Sequence, residues 1–247
     1  GNFMNSLVLA SLSLPNLVSR LPGGVAQGII WGIMALGVYI TFRLLDVADL
    51  TVDGSFTTGG AVTVMLIIAG WPAWAALLAA VVAGLLAGLV TGLLHTKLGI
   101  PAILAGILTQ FALYSINLRI MSMKANTPVN PDKYSLFLTL RSVPGAIWKG
   151  LLLAAVLIAL LYWYFGTEQG SAIRATGANP SMSRAQGINI NAMKVLGLSL
   201  SNGMVALSGG LMAQYQGFAD INMGRGAIVI GLCLLYTSDA ADERSSV

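Results

Sequence analysis

The chain has 247 residues, 56% of them hydrophobic and only 9% charged, with a mean hydropathy of +0.81 and a net charge of +4. A soluble domain carries roughly 25% charged residues, so this is a membrane composition, and basic residues this scattered make no nucleic-acid surface. The single cysteine excludes an internal disulfide, and the single histidine, His95, excludes the usual His/Cys metal clusters, so no metal or cofactor is expected.

In chain order, residues 1–23 come first. Met4 rather than Gly1 reads as the initiator. Leu7–Val18 is apolar but short and interrupted by Pro15, which predicts an interfacial helix or the remnant of a signal segment. A crossing helix needs about 20 apolar residues. Runs of that kind, bounded by Pro, Gly and charge, fall at Gly24–Phe42, Ser55–Ala69, Pro72–Leu94, Pro101–Met121, Pro144–Phe165 and Ala192–Gln214. Ala227 begins a further one. The expected fold is all-α, a polytopic bundle over 24–232 with about six complete transmembrane helices and a truncated further one. At Cys233 the hydrophobic run gives way to an acidic tail, and Cys233–Glu243 resembles a translated transposase-adapter sequence used in preparing DNA libraries. Residues 233–247 are therefore expected to be non-native; the alternative is a genuine soluble tail.

Five features stand out within the bundle. Leu44–Ser55 carries Asp46, Asp49 and Asp53 with Thr51 and Gly54. Charges in a bilayer cost several kcal/mol unless they meet water or partners. The stretch is either an ordinary solvated loop or an interruption that lines an interface or cavity. Metal binding or proton coupling by the three carboxylates is a further reading, and the lack of His or Cys partners counts against metal. Gly84, Gly88 and Gly92 repeat at four-residue spacing, which predicts one helix face that lets a second helix approach closely. Gln110, Asn117, Ser199, Ser201, Asn202, Ser208 and Gln214 need partners in lipid, and either bond between helices or line a solute path. Tyr114, Tyr215 and the tryptophans near span ends (Trp71, Trp74, Trp148, Trp163) suit interface anchoring, with aromatic stacking on a solute as the alternative for the tyrosines.

The fifth feature is the polar stretch 166–189 between two apolar runs. Asn179 suits an N-cap, Pro180 the first helical position and Gly187 the stop, so a short helix is expected at the membrane surface. Elsewhere, no Gly-x-x-x-x-Gly-Lys-Ser/Thr loop occurs, so usual ATP hydrolysis needs a separate subunit. No Ser/His/Asp or Cys/His nucleophile set and no His-Glu-x-x-His motif point to an intramembrane enzyme.

Three stretches, Phe42–Phe56, Gly99–Thr109 and Arg174-Ala175-Thr176-Gly177-Ala178-Asn179-Pro180 through Asp220, carry a likeness to a known family. The chain resembles the inner-membrane permeases of ATP-binding-cassette importers, in the branch with branched-chain amino-acid and simple-sugar permeases, and most closely those of the tryptophan/tyrosine type. The resemblance implies a dimer of permease subunits, identical or not, in a bacterial-type inner membrane, with two cytoplasmic ATPases and an external solute-binding protein. It implies that the polar loop holds a coupling helix seated on the ATPase, with Arg174, Asn179, Pro180, Arg184 and Gly187 as the coupling residues. Asp46, Asp49, Asp53, Gln110, Asn117 and Asn202 are candidates for a solute path. The loop is placed in the cytoplasm on this resemblance and not on charge. Arg43, Lys97, Arg174, Arg184 and Lys194 fall on its side, against Arg20, Arg119, Lys124, Lys133, Arg141, Lys149 and Arg225 on the other. The expected function is ATP-driven import of a small solute, an amino acid or related compound, by alternating access. The alternatives are a secondary carrier coupled to ions or protons through the aspartates, and a fragment that inserts but transports nothing.

Overall fold

A computed structural model describes residues 2–11, 14–45, 47, 49–121, 126–128, 143–216, 218–220, 223 and 229. α1 (Asn2–Ser11) precedes α2 (Leu14–Tyr39), which runs directly into a π-helical turn at Ile40–Leu44. After a non-helical stretch come α3 (Val52–Ile68), α4 (Ala73–Thr96) and α5 (Ala102–Ile120). The remaining helices are α6 (Val143–Phe165), α7 (Glu168–Ala178), α8 (Pro180–Ala185) and α9 (Ile190–Gln216). Two three-residue strands, β1 (Asn126–Pro128) and β2 (Phe218–Asp220), pair antiparallel with Thr127 opposite Ala219 and clip the chain after α5 to the chain after α9.

The fold is an all-α membrane bundle. Among the described residues, five segments are long and apolar enough to cross a membrane: Gly24–Phe42, Ala73–Thr96, Ala102–Ile120, Ile147–Phe165 and Ile190–Gln216. The remaining apolar run is the 17-residue α3. At 1.5 Å per residue it reaches about 25 Å, against about 36 Å for α4. The apolar run Leu7–Val18 is divided between two helices. α1 ends at Ser11, and α2 starts at Leu14 and continues unbroken past residue 23. Pro15 is tolerated because it sits in the first turn, where the backbone N–H has no helical partner anyway. The span expected from Ala227 and the tail 233–247 fall almost wholly outside the described residues.

α9 is the hub. Of its spanning window 78% is buried, against 6% for that of α6. Yet α9 carries Ser201, Asn202, Ser208 and Gln214, while α6 exposes Leu151, Leu152, Val156 and Trp163. This ordering follows from lipid as solvent. Leu and Val face acyl chains at no cost, whereas hydroxyls and amides need partners and small residues let backbones approach.

The glycines show how close that approach is. A Cβ on Gly88 of α4 would fall 2.7 Å from Leu198 C and from Ser199 Cα. One on Gly92 would meet Val195 Cα at 2.9 Å, and one on Gly84 the carbonyl carbon of Asn202 at 2.9 Å. α3 crosses α9 in the same way: a Cβ on Gly59 would lie 2.6 Å from Ala206 C, and one on Gly209 2.8 Å from Phe56 C. On the α2 side, Trp31 stacks on Phe56 with ring centroids 5.1 Å apart, beside buried Met34, Leu211 and Tyr215.

Candidate functional site

Two features converge at the end of the bundle where α6 stops and α9 starts. The first is the polar loop, which folds completely. Thr167 caps α7, accepting from Gly170 N at 3.4 Å, and Glu168 in the first turn suits the positive end of the helix dipole. Gly170 lies against the backbone of Tyr164 and Phe165, so α7 folds back onto the end of α6. Asn179 then serves two helices. Its N–H closes α7 on Ala175 O at 2.9 Å, and its Oδ1 accepts from Met182 N at 3.0 Å to start α8, with Pro180 in the first position. The stop is Gly187, at φ +86°, a left-handed conformation that a Cβ would strain. Asn189 Oδ1 accepts from Ala192 N at 3.2 Å inside the first turn of α9.

Three residues of α7 are buried, Gly170, Ile173 and Thr176, spaced by three so that they share one face. In α8 only Ser183 is buried. Ser181, Met182, Arg184, Ala185 and Gln186 are exposed, so α8 presents a small polar platform with one methionine at its surface. Arg174 is exposed as well; its guanidinium donates to Ser171 Oγ at 3.3 Å and borders a cleft of 490 Å³ with Tyr39, Tyr162 and Phe165.

The second feature is the non-helical stretch between the π-turn and α3. Two of its described backbone groups bond to the π-turn: Leu45 N donates to Ile40 O at 2.9 Å and Val47 N to Thr41 O at 2.8 Å. Buried Leu45 and Val47 cluster with Ile173 of α7 and Leu198 of α9. Two residues further, Asp49 is completely buried. Its Oδ1 accepts from Thr51 N at 3.0 Å and its Oδ2 from Asn202 Nδ2 at 2.8 Å. The same Nδ2 donates to Leu198 O at 2.9 Å, while Asn202 Oδ1 accepts from Ser55 Oγ at 2.6 Å. Thr51 Oγ1 lies 2.6 Å from Thr91 Oγ1 of α4. Asn202 sits beside Gly84, midway along α4, so this network is near the middle of the bundle's depth.

The six candidates for a solute path do not gather around one opening. Asp49 and Asn202 are bonded to each other on the α3–α9 seam. Asn117 is on the α3–α5 seam, its Oδ1 accepting from Thr58 Oγ1 at 2.7 Å. Gln110 is half-buried on α5, where α5 passes Gly54, and Asp53 is half-buried in the first turn of α3. Asp46 lies outside the described residues. Other hydroxyls also bond between helices: Ser201 Oγ donates to Gly37 O at 2.6 Å and Ser208 Oγ to Ile30 O at 2.7 Å. Tyr215 is buried in the core and Tyr114 exposed; Trp71, Trp74, Trp148 and Trp163 are all exposed. Sequence reasoning missed α7, the cap Thr167 and the network member Thr91, and gave no role to Ser55 or Thr51 within the stretch it singled out. A cap signal was present at Thr167, whereas nothing local marks the network.

A helical bundle that buries Ser201, Asn202 and Ser208, turns much apolar surface outward and folds one inter-span loop into a capped platform is a multi-pass membrane protein. The chain belongs to the family described as branched-chain amino acid transport system, permease component, which it matches over residues 21–235. It is thus a permease subunit of the ATP-binding-cassette importer kind. It is similar to a tyrosine transport system permease protein of Clostridioides difficile (strain R20291), 43% identical over 208 residues, 84% of this chain and 69% of the relative. It is also 36% identical over 208 residues to an uncharacterized protein of Rickettsia prowazekii (strain Madrid E), covering 83% of this chain and 72% of that one. No solved structure matches it.

Proposed function

We propose that this permease works in a bacterial inner membrane with two ATPase subunits, a second permease subunit and an external solute-binding protein, importing tyrosine or a related amino acid. The α7–α8 pair is the seat of the ATPase and lies in the cytoplasm. Arg174 and Arg184 meet acidic groups of the ATPase, Asn179 and Pro180 fix where α8 begins, and Gly187 fixes where it ends. The observation that carries the reading is the construction of that loop. Three caps in about twenty residues make it stiff, and a stiff helix transmits a displacement that a flexible Gly/Ser linker absorbs. Its exposed face is polar and its buried face rests on the bundle, which is the arrangement a push from outside needs. ATP binding in the partner then tilts the bundle and opens the path to the other side. The solute follows the name of the Clostridioides difficile relative.

The test uses the full-length permease with its ATPase and binding protein in proteoliposomes. Pro180–Gln186 is replaced by a Gly/Ser linker of equal length. Insertion should survive, since no span changes, while L-tyrosine uptake, binding-protein-stimulated ATP hydrolysis and ATPase association are lost. Uptake at the unmodified rate would remove α8 from the mechanism. Uptake that needs no ATPase but collapses with the ion gradient would replace the reading with a secondary carrier.

A further inference from the structure

The glycine series that lets α4 lie against α9 has an end. A Cβ on Gly92 would lie 2.9 Å from Val195 Cα, and the next position of the series, one turn on, is Thr96. Its Oγ1 donates back to Gly92 O at 2.8 Å. Beside this point the two helices leave a groove of 640 Å³. Part of it is apolar, with Leu89 and Leu93 from α4 and Val195 and Leu196 from α9. The end nearest the α7–α8 pair is polar. Lys97 lies there, just past the last turn of α4, with Asn189 and Asn191 at the start of α9. All three are exposed. Asn189 Oδ1 is taken by Ala192 N, which leaves its Nδ2 as a donor. Among the described residues lining the groove Lys97 is the one charged group, and no described carboxylate pairs with it. At 1.5 Å per residue, Lys97 stands about 12 Å along the helix axis from Leu89. A cation and amide donors at one end, followed by aliphatic side chains over that length, match an anionic head followed by an apolar chain. A second copy of this chain is a poorer match: meeting the groove with the same surface across a two-fold axis, it would set lysine against lysine.

We propose that this groove seats an anionic phospholipid of the leaflet on the α8 side. The phosphate sits at Lys97 and the amides of Asn189 and Asn191, and an acyl chain runs along Leu93, Leu89, Val195 and Leu196. Lysine suits this place because its methylene stem lies along apolar surface while the ammonium stays at headgroup level. A basic pocket between spanning helices at the membrane surface is a known form of lipid-headgroup recognition. The lipid joins the end of α4 to the start of α9 where contact through glycine stops. The site does not depend on which solute the permease carries or on where its ATPase sits.

The test uses the purified full-length permease in detergent, titrated with dioleoyl phosphatidylglycerol or dioleoyl phosphatidylcholine, with bound lipid counted by native mass spectrometry. Phosphatidylglycerol should bind more tightly by about fivefold, the scale of one lysine at an anionic surface. Lys97→Gln should remove that preference and Lys97→Arg should keep it. Arg119→Gln, which removes an exposed cation from the other end of the bundle, should leave it unchanged. A phosphatidylglycerol carrying a diazirine in the upper part of its acyl chain locates the site: on irradiation it should crosslink to peptides containing Leu93 and Leu196. Leu93→Trp fills the groove and should block that crosslink. Where Leu93→Trp fails to fold, Lys97→Gln, a change to an exposed side chain, still carries the test through its weaker crosslink. Equal affinity for the two lipids, or a preference that survives Lys97→Gln, overturns recognition of the anionic head. Crosslinks that fall only on other peptides, as they would if a second permease copy covered the groove, overturn the site.

Discussion

Gly88→Leu is the sharpest test of how the bundle is held together. Every near neighbour of a Cβ at this position is backbone: Leu198 O, Leu198 C and Ser199 Cα. No rotamer of a neighbouring side chain relieves that contact, so the helices must part. Raising a 2.7 Å approach to an ordinary carbon–carbon contact of about 3.6 Å moves α4 and α9 apart by about 1 Å at that turn. A gap of that size forfeits roughly a quarter to a half of each dispersion well of about 0.1–0.2 kcal/mol. Over some 40 atom pairs along the adjoining turns the loss is about 2–3 kcal/mol, within the usual range for overpacking. The larger leucine side chain adds to this, so the figure is a lower bound. Val90→Leu is the control, because Val90 on the same helix is exposed to lipid; it should cost less than about 0.5 kcal/mol. The assay is the midpoint of unfolding of the purified permease in mixed micelles of increasing SDS content, with heat-induced aggregation as a second readout. Equal and small shifts for the two substitutions would refute the close-packed seam.

Three further outcomes are expected. Asn179→Ala removes the acceptor for Met182 N and should destabilise α8 by about 1 kcal/mol, seen as faster amide exchange over 180–186 with no change in the spans. Gly187→Ala forces a Cβ into φ +86° and should raise exchange over the same segment by a similar amount, about 1 kcal/mol, while Gly24→Ala on open surface leaves exchange unaltered. Asn117→Leu alone leaves the Thr58 hydroxyl only Gly54 O as a partner and should cost about 1–2 kcal/mol, whereas the pair Asn117→Leu with Thr58→Val should recover part of that; strictly additive losses in SDS unfolding would argue against the bond.

What is legible in the sequence follows from how local each signal is. A run of about 20 apolar residues means a span in lipid, so the crossing segments can be read directly. Asn179, Pro180 and Gly187 are legible for the same reason, because a cap is decided by neighbours within a turn. α7 is not, since Glu168–Ala178 includes Gly170 and Gly177 and has no apolar period. What makes it a helix is one buried face, where Ile173 packs on Leu45 and Val47 from far earlier in the chain and on Leu198 of α9. The start of α2 is missed because Pro15 reads as a break, although in the first turn it is none. The aspartates are the hardest. Asp49 and Asp53 are alike in sequence, yet one is sealed against Asn202 and the other half-buried in a first helical turn. That difference depends on the path of the backbone, and nothing near residue 49 records it.

The path itself has a physical logic. Backbone without helical bonds is tolerated at membrane depth only when protein satisfies it. Here the π-turn supplies Ile40 O and Thr41 O to Leu45 and Val47, and the Asp49 carboxylate supplies Thr51 N. Each of these bonds is one the described residues make with neighbours close in the chain. The bonds to the rest of the bundle are different in kind. Among the described residues they come from the side chains of Asp49 and Thr51, and they meet Asn202 and Thr91. α3 begins only after this stretch, at Val52, and runs 17 residues against 24 for α4.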